Sequence, residues 1–233
     1  MISENLRRLK DQINLKCKEV NRDPSEIKLI AVSKFFGIDA INEANNLGLT
    51  DFGENKAQEL RDKFEIIGDR ITWHFIGSLQ RNKVKYVVKS ATYIHSVDSI
   101  SLAEEIDRQA AKINKKQKVL IEVKTSYEES KSGIEKASEI NKLAGYCNSA
   151  KSLELVGLMT MAPFTENVVE IRKSFKDLSK LKDELNSFGY QLTELSMGMT
   201  SDYLIAIEEG ATMLRIGSAI FGERDYSKDW RHK

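Results

Sequence analysis

The sequence predicts an α/β fold, a (β/α)8 TIM-like barrel with an extra N-terminal helix. Two observations carry that expectation. Short β-rich runs alternate with helical stretches, and parallel neighbours need such crossover connections. Eight of these units fit within 233 residues, the span of one closed barrel. An open doubly wound sheet is the alternative architecture. No internal repeat, low-complexity segment or linker divides the chain, so residues 1–233 read as a single domain.

The first 20 residues form an outer helix with Ile2, Leu6, Leu9, Ile13, Cys17 and Val20 along one face. Residues 28–33 are an apolar run bounded by turn signals, a buried strand. A helix over 38–47 stops at Gly48. Residues 51–53 form the second strand and 55–66 a polar helix; 72–76 form the third strand and 81–89 a basic helix. The fourth strand covers 93–97, and Ser99 then caps a helix carrying Ile100, Ala103, Ile106, Ala110 and Ile113. The fifth strand covers 119–123. A long polar loop, 124–133, leads to a helix with Ile134, Ala137, Ile140, Leu143 and Cys147 on one face. Residues 153–158 form the sixth strand, and Ile171 to Phe188 the clearest helix. Residues 193–196 are the seventh strand. Ser201 or Asp202 caps the next helix, and 212–216 form the eighth strand.

Composition narrows the function classes. Hydrophobic residues are 41% and charged residues 30%, and 36 basic against 35 acidic residues leave a net charge of +1. That balance offers no nucleic-acid stripe and no anionic-membrane surface. The N-terminus has no signal-peptide core, and no apolar run is long enough to span a bilayer. Cys17 and Cys147 lack metal-type spacing and read as buried thiols. The expected compartment is the cytoplasm. His74, His95 and His232 are scattered, and no carboxylate cluster has the spacing of a metal cage.

In such barrels the site lies at the C-terminal ends of the strands. Lys34 stands past the first, Glu54 and Asn55 past the second, and His74 and Gly77 at the end of the third. Met159, Thr160 and Met161 follow the sixth. Residues 196–201 (Ser-Met-Gly-Met-Thr-Ser) follow the seventh, and Arg215-Ile216-Gly217-Ser218 the eighth. The last two segments offer glycines and hydroxyls where barrels of this kind bind phosphate. Glycine and serine also make plain turns. Lys34 either snorkels to water or, desolvated below its free pKa of roughly 10.4, becomes an amine able to form a Schiff base. Barrel closure makes Arg215 a neighbour of Lys34. An aldehyde on Lys34, a phosphate on the Gly198 and Gly217 loops and a ring beside Arg215 describe pyridoxal 5′-phosphate (PLP).

These segments resemble the pyridoxal phosphate homeostasis protein family. The resemblance runs in order over roughly 28–225 and rests on Ala31-Val32-Ser33-Lys34, Phe52-Gly53-Glu54-Asn55, Trp73-His74-Phe75-Ile76-Gly77, Leu79-Gln80-Arg81-Asn82-Lys83, Ser130-Lys131-Ser132-Gly133, Gly157-Leu158-Met159-Thr160-Met161-Ala162, Leu195-Ser196-Met197-Gly198-Met199 and the stretch from Arg215 to Gly222. It implies a barrel similar to the alanine racemase N-terminal domain (PLP fold type III), with PLP held as a Schiff base on Lys34. It implies phosphate contacts from Ser196, Thr200, Gly217, Ser218 and the backbone near Met199. It also implies Arg215 by the pyridine nitrogen, and Asn55 and His74 within the pocket. Thr200 stands where the family usually has Ser, and Phe35-Phe36 replaces a more polar pair. Lys131 would be a second amine able to catch departing PLP.

Arginine cannot give up its proton in a protein. Arg215 would therefore leave the pyridine ring unprotonated and a weaker electron sink. The sequence ends at Lys233, shortly after the eighth strand, so a racemase-type second domain with its catalytic tyrosine is not expected. The expected function is intracellular PLP homeostasis, buffering and delivery without robust amino-acid turnover, by a monomer. Amino acids and PLP-dependent apoenzymes are candidate partners. The alternative is a PLP-dependent amino-acid racemase with Tyr127 or Tyr203 as second base. A weaker third reading is a sugar-phosphate aldolase with Lys34 as its Schiff-base lysine.

Overall fold

A computed structural model describes residues 1–126, 128, 132–223 and 230–232. The chain starts with α1 (Ile2–Glu19) and then alternates strictly. β1 (Lys28–Val32), α2 (Ile38–Asn46), β2 (Asp51–Glu54), α3 (Ala57–Ile67), β3 (Thr72–Phe75) and α4 (Val84–Ser90) make the first part. β4 (Tyr93–Val97), α5 (Ile100–Ala111), β5 (Gln117–Glu122) and α6 (Ala137–Ser149) follow. β6 (Leu153–Met159), α7 (Val168–Ser187), β7 (Glu194–Ser196), α8 (Tyr203–Glu208), β8 (Met213–Ile216) and the short α9 (Ser218–Phe221) complete it. The strands are parallel, run in sequence order and close into a barrel through β8 and β1. The closed sheet excludes the open doubly wound alternative.

Alternation along each strand divides the apolar residues between two layers. Ile30, Tyr93, Leu120, Val156, Met159 and Met213 cluster inside the barrel. Ala31, Phe52, Trp73, Phe75, Ile94 and Val119 belong to the larger cluster between sheet and helices. Cys17 and Cys147 are buried in that outer layer. Several boundaries differ from expectation: β5 covers Gln117–Glu122 instead of 119–123, and Ile134 bridges to Val123 ahead of α6 instead of lying on that helix. The polar helix begins at Ala57 because the chain bends at Asn55 and is extended at Lys56, and residues 81–83 form a 3-10 turn before α4. Ser99 occupies the N-cap of α5, but its hydroxyl turns to Asp98 instead of to the helix. Among the described residues no helix is long and apolar enough to cross a membrane.

α1 lies along α8 and α9. Asn5 donates to the Ile220 carbonyl at 3.1 Å, and the Tyr203 hydroxyl donates to Gln12 at 2.8 Å. Tyr203 is thus tied beneath α1, which removes it as a second base.

Gly157 marks the tightest strand approach. A Cβ there would sit 1.9 Å from the Glu194 carbonyl oxygen on β7. Gly157→Ala should therefore cost about 1–3 kcal/mol. It should lower the urea midpoint without changing the slope. An unmoved midpoint would contradict the β6–β7 spacing.

Candidate functional site

A cavity of about 600 Å³ opens at the C-terminal ends of the strands. Lys34, Asn55, Met199, Thr200, Arg215, Gly217 and Ser218 line it together. Seven of the nine expected cofactor residues thus share one wall. His74 and Ser196 do not. Both are fully buried, behind that wall and inside the barrel.

Lys34 sits on a turn that α3 holds from below. Phe35 has φ +71, a conformation costing roughly 1–2 kcal/mol for a residue with a Cβ. Its N–H donates to Glu59 Oε1 at 2.8 Å. Lys63 Nζ donates to the Ser33 carbonyl at 2.9 Å, to Glu54 at 2.7 Å and to Glu59 at 2.8 Å. The Ser33 hydroxyl donates to Glu54 at 2.6 Å. Lys63 and Glu54 are wholly buried, and among the described residues Glu54 Oε2 has no partner. One cation faces two carboxylates here. Burial, with the neighbouring Glu59 charge, pushes Glu54 up to about 7 against the pull of Lys63. The turn is clamped from the other side by Phe36, whose ring stacks on Phe221 at 4.8 Å.

Arg215 points into the barrel from β8. It donates to Ser196 Oγ at 2.6 Å and to the Thr160 carbonyl at 2.8 Å. Burial pulls its pKa down to about 10, against the attraction of Asp202 and Glu122. From Ser196 a chain of hydrogen bonds crosses the interior. Ser196 Oγ is 2.8 Å from His95 Nδ1, His95 Nε2 is 2.9 Å from His74 Nδ1, and His74 Nε2 is 2.9 Å from Asp51 Oδ1. Burial lowers the pKa of both histidines, so each is neutral at pH 7. Burial opposes the charge on Asp51, but hydrogen bonds from His74 and Thr50 hold its carboxyl below the usual range.

Only one arrangement of protons then satisfies every contact. Arg215 donates to Ser196, Ser196 to His95 Nδ1, His95 Nε2–H to His74 Nδ1, and His74 Nε2–H to Asp51. The chain is polarised from a cation at the cavity to an anion at the N-terminal end of the barrel.

On the side of β7 and β8, Gly198 takes φ +95 and its carbonyl accepts the Arg215 N–H at 2.9 Å. The Met199 N–H donates to Asp202 at 2.5 Å. The Thr200 and Ser218 hydroxyls are 3.3 Å apart at the cavity rim. Glu122, which sequence reasoning left inside a strand, also lines the cavity. Lys131 and Tyr127 lie outside the described residues.

A family model described as alanine racemase, N-terminal domain, matches residues 4–225. The pyridoxal phosphate homeostasis protein of Aquifex aeolicus is 42% identical over 96% of this chain and 98% of that protein. The Escherichia coli K12 protein of the same description is 38% identical over 97% and 98%. Among solved structures, PipY of Synechococcus elongatus PCC7942 with PLP bound is 34% identical, with a TM-score of 0.85 over 95% of this chain and all of that one. Alanine racemase of Clostridium difficile 630 shares the fold at 16% identity, with a TM-score of 0.75 over 97% of this chain and 58% of that chain.

Two predictions follow from the buried charges. Lys63→Met leaves two carboxylates without their cation and should destabilise the fold by about 3–5 kcal/mol. Glu54→Gln keeps the Glu59 carboxylate beside Lys63 and an oxygen for the Lys63 N–H to reach, so it should cost less, about 1–2 kcal/mol. Equal losses in denaturant titrations would contradict the charge assignment. The second prediction concerns the histidines. A depressed folded pKa means that the unfolded chain binds more protons below about 6.5. His74 and His95 therefore weaken the fold as pH falls below that value. Ring nitrogen-15 spectra should show both as neutral Nε2–H tautomers as pH drops from 7.5 through 6.5. An imidazolium or Nδ1–H pattern would contradict the chain.

Proposed function

Because the chain belongs to the pyridoxal phosphate homeostasis protein family, we propose that it holds PLP on Lys34, buffers its free level and delivers it, without robust amino-acid turnover. The reading takes residues 1–233 as one PLP-binding barrel domain, acting as a cytoplasmic monomer with PLP-dependent apoenzymes and amino acids as partners. One observation carries it: a primary amine, a fixed guanidinium and a rim of hydroxyls share a single cavity.

The residues present fit the group. Among the described residues Asn55 Oδ1, buried at the cavity wall, has no hydrogen-bond partner, which leaves an acceptor for a ligand. PLP supplies an aldehyde that condenses reversibly with a primary amine, and a phosphate that suits N–H and hydroxyl donors. Lys34 provides the amine. Thr200, Ser218 and Gly217 provide the phosphate side, with Met199 walling the cavity. Arg215 faces the ring. A guanidinium keeps its own proton, which favours an unprotonated ring and weakens carbanion chemistry.

Two assignments change from those implied by the resemblance. Ser196 and His74 hold Arg215 in place instead of touching PLP, since both sit behind the wall in the polarised chain. The Met199 N–H is committed to Asp202, so it is not counted among the phosphate donors.

The test is the visible spectrum of purified protein given PLP, then borohydride reduction and peptide mapping. An imine band, with the pyridoxyl group fixed on Lys34 and absent from Lys34→Ala, is expected. Random labelling of lysines, or no band at saturating PLP, would remove Lys34 from its role and favour a sugar-phosphate site. Sustained exchange of an amino-acid α-proton, lost in Lys34→Ala, would make the protein a racemase.

A further inference from the structure

We infer that the cavity takes a second ligand, a primary amine, and that Glu122 receives its ammonium and removes a proton so that the amine can displace Lys34. The inference rests on the reading that PLP is held on Lys34.

Glu122 ends β5, across the closed barrel from β1. Its side chain is 3% exposed, and it lines the same cavity as Lys34 and Arg215. Among the described residues no hydrogen bond reaches its carboxylate. A buried acid without a donor is costly. A ligand that brings a donor into the cavity relieves that cost.

The surroundings say which donor. Glu122 is the one acid among the described residues of the cavity wall, which also carries the cations Lys34 and Arg215. Of the elements around it, β8 presents Arg215, the end of β4 presents Asp98, and β6 presents apolar Met159 in register. With Lys34 carrying the cofactor, an entering ammonium meets repulsion from Arg215, and Glu122 is the place on that wall that accepts it. Burial and the Asp98 charge push Glu122 up to about 7, against the pull of Arg215. A base tuned near the working pH is matched to proton transfer. Amines need one, because at a pKa of roughly 10.4 they are almost entirely protonated at pH 7 and cannot attack.

The step balances without an outside reagent. The ammonium gives one proton to the Glu122 carboxylate. The freed amine nitrogen forms a new bond to the carbon held by Lys34 Nζ, and the bond from that carbon to Lys34 Nζ breaks. The two hydrogens left on the incoming nitrogen pass to Lys34 Nζ. Glu122 returns the third, so that Lys34 leaves as an ammonium and Glu122 is again a carboxylate. Delivery would then be triggered by an amine, either of a free amino acid or of a lysine side chain.

The experiment uses the PLP-loaded protein with ethylamine as the probe. Stopped-flow absorbance follows the first-order loss of the Lys34-bound chromophore from pH 5.5 to 8.5, for wild type, Glu122→Gln and Glu122→Asp. Rates are read only from molecules already loaded, so loading does not enter. In wild type the rate should rise with pH through an inflection near 7. Glu122→Gln should lose that inflection and slow release at pH 7 by roughly 100-fold. Glu122→Asp should restore an inflection. An isotherm for trimethylamine, which binds but cannot form the new bond, should weaken in Glu122→Gln. Equal rates and pH profiles in wild type and Glu122→Gln would overturn the role of Glu122, and so would an inflection that survives in Glu122→Gln. Failure of wild type to load at all would overturn the reading of Lys34 instead. Should Glu122→Gln not fold or not load, a Glu122→Asp profile identical to wild type counts against the inference and a displaced inflection supports it.

Discussion

Pairing of β8 with β1 is the contact from which the site is built. Register sets Ile30 opposite Arg215 and Ala31 opposite Ile216. Lys34, just past the end of β1, and Gly217 and Ser218, just past β8, therefore emerge side by side. A sheet left open between these strands would separate the amine from the guanidinium by the full width of the fold. Closure also removes both sheet edges, so that every strand is buried on two faces. The polar groups of the interior must then find partners among themselves, because water cannot supply them.

Two buried cations meet that demand differently. Lys63, between the barrel and α3, is surrounded at short range by a carbonyl and two carboxylates. Its function is local: it fastens the turn that presents Lys34 and offsets the strain at Phe35. Among the described residues Arg215 has no carboxylate in contact. Asp202 and Glu122 attract it without touching it, and the Asp51 carboxylate anchors the far end of the chain that runs through Ser196, His95 and His74. Each link removes an orphan donor or acceptor from the barrel interior and fixes the next side chain. His74 is locked further by stacking on Tyr93 at 4.6 Å. The guanidinium is thus aimed by a rigid chain while its approach to the cavity stays free of a competing carboxylate in direct contact.

Much of this was legible in the sequence. Strand order and number followed from alternation, and Lys34, Thr200, Gly217 and Ser218 followed from asking what stands past each strand. The polar interior was not legible. His95 lies within a β-rich run and His74 at the end of one, and nothing local shows that both point inward and face each other. Lys63 stands in a polar helix among Arg61, Asp62 and Glu65, a pattern that reads as a solvated face. Only the packing of α3 under the β1 turn buries it. Glu122 carried a usable signal, since an acid at the last position of a strand in this fold faces the site. A strand drawn one residue too long hid it.

The polarised chain also limits what Ser196 can do. A hydroxyl has one hydrogen and two lone pairs. The hydrogen is committed to His95 Nδ1, because that nitrogen of a neutral ring bearing Nε2–H can only accept. One lone pair is committed to Arg215. What remains is an acceptor, and an acceptor repels a phosphate oxygen. Turning the hydrogen toward a phosphate would strip His95 of its donor and leave a buried nitrogen unpaired, at a cost of about 1–3 kcal/mol. The Met199 N–H is held by a carboxylate in the same way. In the reading we propose, the phosphate side is therefore assembled from Thr200, Gly217 and Ser218, groups at the rim and at the start of α9, and the residues beneath them are spent on holding Arg215. That division places the adaptable contacts where a cofactor enters and leaves and keeps the rigid ones under its ring, as capture and delivery require.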